Sequence, residues 1–184
     1  MPTLAVWAPE DGLLGALAPL GLALARPSCL VVDLDEHGPR WPGDRALADL
    51  VEDGARRDDL TPGPGVAVLR NGGVAASEAA GVVRALADAW PDCVLRLPPR
   101  PEPPLGTMPI VPVHLLVPGG LFPAPDGRAV YQATPAWSRM PGPGIRLPVP
   151  RRTTVAALAG GRRPPGRDPW VSAWRRVWEQ RWER

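Results

Sequence analysis

The chain has 184 residues, a length typical of one domain with its own hydrophobic core. Every one of its 21 basic residues is arginine, and with 27 prolines and 20 glycines the composition is typical of a bacterium with a GC-rich genome. The formal net charge of +2 argues against a strong general affinity for nucleic acid. No apolar stretch reaches the ~20 residues of a membrane-spanning helix, so we expect a cytoplasmic protein whose two cysteines are free thiols.

Short apolar runs alternate with helical patterns over the first hundred residues. The predicted strands are 4–7, 29–34, 66–69 and 93–97, and the predicted helices are 13–25, 45–55 and 77–89. Asp44 and Ser77 are expected to cap the second and third helices. The strand at 29–34 has no polar alternation, which is typical of a strand covered on both faces. This alternation predicts a parallel sheet in an α/β fold.

The pattern changes after the first hundred residues. Fifteen of the prolines lie in 98–150, where strands are predicted at 110–117 and 129–134. Pro112 should restrict the first of these strands to an edge or a bulge. We therefore predict three parts: an α/β core (1–100), a proline-rich segment docked on it (101–150) and a basic helical segment (151–184).

The basic segment holds the sharpest pattern in the sequence. A helix is predicted at 153–159, and an amphipathic helix from Asp168 to about Arg184 with a tryptophan every fourth residue. Three alternatives are open for the tryptophan face of this helix. It packs on the chain's own domain, it docks on a partner or a second copy, or it lies in a membrane interface. Stacking on nucleic acid is disfavoured because the rest of the chain is acidic. The candidate interaction residues are Trp170, Trp174, Arg175, Trp178, Arg181 and Trp182.

The first half also has an ordered set of short motifs. An apolar strand (4–7) precedes a glycine-containing loop (10–16) and a helix, and the next strand ends in Asp33-Leu34-Asp35. Further on, the strand within 90–99 ends in two prolines. In order and spacing these motifs resemble the opening of the MinD/ParA family of P-loop ATPases, over about half of the chain. The resemblance implies a P-loop-like, three-layer α/β fold with a mainly parallel sheet, truncated relative to the family.

The loop departs from that family where the chemistry of nucleotide hydrolysis resides. A P-loop binds triphosphate through backbone N–H groups, a lysine and a hydroxyl that holds Mg²⁺. The resemblance places Glu10 and Gly15 where the family has lysines, Ala16 at the hydroxyl position and Arg96 at the metal-side acid. The loop as a whole (Glu10, Asp11, Gly12, Gly15, Ala16) therefore carries no cation. We expect no bound cofactor, no metal and no ATP hydrolysis.

These observations predict a non-catalytic relative of the MinD/ParA ATPases. It would act as a scaffold or positioning protein through a protein partner or self-association, with peripheral membrane contact through 168–184 as a further option. The alternative is an enzyme or a protein that binds a nucleotide or another small molecule in a strand-end pocket near Glu10, Asp33 and Asp35. His37 and His114 are too far apart in sequence to indicate a metal site.

Overall fold

A sheet of seven strands crosses the molecule. The structure is a computed structural model that describes residues 3–100, 108–117, 128–139, 144–164 and 167–182. The strands are β1 (Thr3–Trp7), β2 (Ser28–Asp33), β3 (Gly65–Leu69), β4 (Cys93–Arg96), β5 (Ile110–Leu116), β6 (Val130–Ala133) and β7 (Ile145–Leu147). They lie in the order β3-β2-β4-β1-β5-β6-β7, and every described pair is parallel. The expectation of a mainly parallel sheet is confirmed.

Helices cover both faces of this sheet. They are α1 (Gly12–Leu24), α2 (Leu47–Asp53), α3 (Ala76–Ala89), α4 (Arg152–Ala159), α5 (Pro169–Ala173) and α6 (Arg175–Glu179). One apolar cluster joins α2 and α3 to one face, and a larger one joins α1 and the three C-terminal helices to the other. The fold is thus a three-layer α/β domain, as predicted.

The central strands owe their positions to continuous apolar runs. Strand β2 is buried at every residue after the first, in line with its lack of polar alternation. Cys29 and Cys93, on the neighbouring strands β2 and β4, are both buried free thiols. Burial raises the pKa of Cys93 to about 12, so the thiol is inert at neutral pH.

The prediction for Pro112 is wrong, because β5 is an interior strand. It pairs with β1 through Pro112 and with β6 from Val113 onward. The proline, which has no N–H to donate, lies where the pairing passes from one neighbour to the other. A proline is therefore tolerated at this position without the strand lying at an edge.

The segment 101–150 supplies three strands of the sheet. Strands β5 and β6 were predicted, whereas the three-residue strand β7 was not, because so short a run has no recognisable period. These strands continue the sheet formed by the first hundred residues. The intervening stretches 101–107, 118–127 and 140–143, predicted to dock on the core, lie outside the described residues.

Several predicted helix ends are wrong. Helix α2 begins at Leu47 and not beside Asp44. The carboxylate of Asp49 accepts from the N–H of Ala46 at 2.7 Å, so a backbone donor at the start of the helix has a partner without Asp44. The N-cap of α3 is Ala75, so that Ser77 lies inside the helix. The observed N-cap thus lies two residues after the predicted one in α2 and two residues before it in α3.

The predicted long C-terminal helix is also interrupted. Asp168 does cap its start, accepting from the N–H groups of Trp170 and Val171 at 2.8 and 3.1 Å. At Trp174 the N–H bonds to the carbonyl of Val171 three residues back, and the helix restarts as α6, which ends at Glu179. The C-terminal segment is thus two short helices that bend over the sheet.

Candidate functional site

The predicted phosphate loop begins with two carboxylates that are both engaged within the protein. Asp11 caps α1, since its Oδ1 accepts from the N–H of Leu14 at 2.7 Å. Glu10 turns toward the end of β5, where Oε2 accepts from the N–H of Leu115 at 2.8 Å and Oε1 contacts Nδ1 of His114. The loop therefore places negative charge at the helix N-terminus, where a phosphate would bind in a P-loop.

His114 forms the other half of the Glu10 contact. Its ring lies edge-on to Trp7 and tilted against Tyr131, with centroids 6.0 and 6.2 Å away. Burial and the nearby Glu10 carboxylate both raise the pKa of Tyr131. The side chains of Glu10 and His114 are each less than a tenth exposed, so the pair joins the loop to β5 as a buried polar contact.

Arg96 is the centre of the most deeply buried charge cluster that the structure describes. It lies at the end of β4, directly opposite Asp33 of β2 in the sheet register. Its Nη1 is 2.8 Å from Oδ1 of Asp33 and its Nη2 is 3.0 Å from Oδ2 of Asp35. Because these three side chains are 7, 1 and 10 % exposed, the guanidinium compensates two largely buried carboxylates.

Helix α1 supplies the third partner of Arg96. A proline inside a helix cannot donate to the carbonyl four residues earlier, so Pro19 leaves the carbonyl of Gly15 without its helical partner. The Nε of Arg96 donates to that carbonyl at 3.0 Å. Pro19 lowers the helix propensity of α1, but it also frees the Gly15 carbonyl, which accepts from the buried Arg96 directly beneath the loop.

A short turn after β2 closes over this cluster. The N–H of Gly38 bonds to the carbonyl of Asp35 at 2.9 Å, and the carboxylate of Asp35 accepts from the N–H of His37 at 3.0 Å. A Cβ at Gly38 would overlap Oδ2 of Asp33 and Nη1 of Arg96. The turn needs glycine at this position because the backbone passes directly over the ion pair.

The electrostatics of the cluster are set by burial. Loss of water raises the pKa of Asp33, and the opposing attraction of Arg96 and a hydrogen bond from the N–H of Asp35 do not fully offset it. The guanidinium is therefore the group that makes an ionised aspartate tolerable at this depth. With both carboxylates held by Arg96, the cluster has no vacant cation to offer an anionic ligand.

The structure does not bring Glu10 together with Asp33 and Asp35, as the alternative pocket required. Strands β4 and β1 lie between β2, which carries Asp33, and β5, against which Glu10 packs. That separation is about 14 Å at the usual spacing of neighbouring strands. The carboxylates form two separate contacts, one with His114 and one with Arg96.

A cleft of about 710 Å³ does lie beside the arginine cluster, at the carboxyl ends of β2 and β3. Asp35, His37, Arg40, Arg70 and Asn71 are among its lining residues. The Nε of Arg70 is buried and has no hydrogen-bond partner among the residues that the structure describes. The Arg70 side chain forms no ion pair within the described residues, so its guanidinium would suit an anionic group on a small ligand in the cleft.

Of the predicted interaction residues, the tryptophans lie mainly in the core. Trp170, Trp174 and Trp182 are no more than 8 % exposed, and Trp178 is half-buried, with its Nε1 donating to the carbonyl of Leu22 at 2.9 Å. The structure favours packing on the chain's own domain among the three alternatives. The exposed members of the predicted set are Arg175 and Arg181.

Glycine in α1 makes this packing possible. Trp170 and Trp174 meet edge to face, with centroids 5.5 Å apart. A Cβ at Gly21 would overlap both rings. The glycine that lowers helix propensity in the sequence therefore leaves room for two tryptophans beside the α1 backbone.

The described residues contain no group of three or more His, Cys, Asp or Glu side chains suited to hold a metal ion. None of the helices in the described ranges combines the length and the apolar character needed to cross a bilayer. Models of known protein families give no match to the sequence, and neither do curated proteins.

Proposed function

We propose that this chain is a non-catalytic relative of the MinD/ParA ATPases that works in the cytoplasm as a scaffold or positioning protein. The observation that carries the proposal is the position of Arg96. The resemblance aligns this residue with a metal-side acid, and its guanidinium bonds to the loop carbonyl of Gly15 while holding Asp33 and Asp35. An arginine so placed cannot hold Mg²⁺, and it occupies the carboxylates that could.

The order of strands supports the same assignment. A strand that carries a metal-side group must end next to the phosphate loop, and β4 lies directly beside β1, from which the loop emerges. The alignment of Arg96 with the family's metal-side acid, which the resemblance implies, is therefore consistent with the spatial arrangement. The loop itself keeps the shape of a strand-to-helix turn without the charges that bind a triphosphate.

Without nucleotide binding, the protein would stay in one conformational and oligomeric state. Relatives with intact loops use nucleotide to change between monomer and dimer, whereas a chain that binds no nucleotide presents the same surface at all times. A constant surface suits a protein that holds a partner in place. Contact with a membrane through 168–184 gains no support from the tryptophans, because three of the four are buried.

Isothermal titration calorimetry on the full chain tests the nucleotide side of the proposal. Titration with ATP and Mg²⁺ should give only heats of dilution, because the loop contains the carboxylates of Glu10 and Asp11 and no lysine that would bind the phosphates. A ParA-type ATPase with an intact loop serves as the positive control under the same conditions. Saturable, magnesium-dependent heat from this chain would contradict the proposal.

A ligand-binding protein is the second candidate, favoured by the Arg70 side chain, which lines the 710 Å³ cleft and forms no ion pair within the described residues. Thermal unfolding should then be measured with small dicarboxylates and phosphate. Under this candidate an anion raises the melting temperature of the wild type but not of Arg70→Gln. The same shift in an Arg84→Gln control, whose arginine is exposed on α3, would be expected. Equal responses of all three proteins would remove the candidate.

A further inference from the structure

A groove opens on the α1 side of the sheet, beside the edge strand β3. It encloses about 260 Å³ between α1, β3 and α4. Leu20, Leu24, Val66, Val68 and Leu158 contribute its apolar surface. Val66 and Val68 are only partly buried, because no further strand covers β3 on its outer side.

The groove continues into a second hollow of about 130 Å³ under α5, and we call the two together the basic groove. Leu24 and Arg163 line both cavities, which makes the surface continuous. The second hollow adds Val171 as an apolar contact and ends at Arg175. A ligand in the basic groove would therefore be extended, with room for an apolar side chain at the larger end.

The rim of the basic groove is strongly cationic. Arg162, Arg163, Arg167 and Arg175 are exposed, and no carboxylate of the described residues forms an ion pair with any of them. The lining carboxylate of Asp168 is already engaged by the hydroxyl of Thr154 and by backbone N–H groups. The positive charge of the rim is thus uncompensated within the described part of the chain.

We infer that the basic groove binds an acidic segment of a partner protein, with an apolar side chain of that segment inserted between α1, β3 and α4. The inference rests on the scaffold role proposed above and names the chemistry of the partner. Carboxylates of the segment pair with the four rim arginines, and the guanidinium fork suits carboxylates well. The larger cavity accepts one leucine-sized side chain and provides the apolar contact.

The shape and composition of the face favour a peptide over a lipid surface or nucleic acid. The large exposed hydrophobic residues among those described are Leu13, Ile110 and Trp137, none of which lies in α4, α5 or α6. A membrane would therefore find charge but no apolar side chain to insert. Single-stranded nucleic acid would find no stacking platform, because the tryptophans of this layer are largely buried.

The test uses a fluorescein-labelled synthetic peptide of glutamates with a central pair of leucines, measured by fluorescence anisotropy with the full chain. Wild type should bind it, and binding should weaken as salt is raised. The double variant Arg162→Glu/Arg163→Glu should bind about tenfold more weakly, because two exposed ion pairs become repulsions. Arg84→Glu, with its arginine exposed on the opposite layer, should bind like wild type.

Two altered peptides separate charge from apolar contact. Replacing the glutamates with glutamine, or the leucines with serine, should each abolish most of the binding. The inference is overturned if wild type ignores the acidic peptide, if Arg84→Glu weakens binding as much as the double variant, or if vesicles of anionic lipid or DNA bind while the peptide does not. Magnesium-dependent ATP binding would instead refute the nucleotide side of the proposed function and leave these results standing.

Discussion

Replacing Arg96 with leucine is expected to lower the free energy of unfolding by about 3–5 kcal/mol, the usual cost of removing one partner of a buried ion pair. The variant leaves Asp33 and Asp35 without a counter-charge at 1 and 10 % exposure, and the carbonyl of Gly15 without a donor. Chemical denaturation of the wild type and the variant at neutral pH measures the difference.

The loss should depend on pH in a defined direction. Burial already raises the pKa of Asp33, and removing Arg96 raises it further. A carboxyl with a raised pKa in the folded state favours folding when protonated, so its penalty grows as the pH rises from the unfolded value of about 3.9 to the folded value. The gap between Arg96→Leu and wild type should therefore narrow in acid.

Arg56→Leu is the matched control for this variant. Arg56 pairs with Asp53 at 3.5 Å, but both side chains are more than half exposed, so the change should cost at most about 1 kcal/mol and show no comparable acid rescue. An Arg96→Leu variant as stable as Arg56→Leu would show that the buried cluster does not hold β2, β4 and α1 together as described.

Replacing Trp174 with alanine is expected to cost about 3–5 kcal/mol of stability. The indole is fully buried against Gly21 of α1 and packs edge to face on Trp170. Its removal opens a cavity between the C-terminal helices and α1, which the short helices cannot fill. Denaturation by urea measures the loss, and the slope of the transition should stay unchanged.

Trp174→Phe provides the control. The Nε1 of Trp174 has no hydrogen-bond partner among the described residues, so phenylalanine removes no bond and keeps most of the ring. We expect a change below about 1.5 kcal/mol. If Trp174 instead lay on the surface of the protein, Trp174→Ala would leave the free energy of unfolding of the isolated chain unchanged.

The fold was largely predictable because its central strands are continuous apolar runs in the sequence. Strand β2 has a continuous apolar run from Cys29 to Val32, and the helices between strands have the expected spacing. The interruption at Trp174 was not predictable, because a regular tryptophan spacing predicts one long helix. Close packing against Gly21 of α1, which lies 153 residues earlier (174 − 21), overrides that local periodicity.

The site was predictable only in part. The sequence shows that the loop lacks lysine and hydroxyl, and that an arginine stands at position 96. It does not show what that arginine contacts, since Asp33 and Gly15 are 63 and 81 residues away. Pro19 could have pointed to one contact, because a proline inside a buried helix leaves a carbonyl that another donor must satisfy.

The guanidinium of Arg96 connects β2, β4 and α1 by contacting Asp33, Asp35 and the carbonyl of Gly15. Each of these groups would destabilise the fold if it were buried without a partner. A lysine at position 15 would place a second cation against it, and removing the arginine alone would leave the aspartates without a counter-charge. Either change made singly is therefore expected to give a chain that folds poorly. We expect substitutions at positions 15, 33 and 96 to be tolerated only in combination.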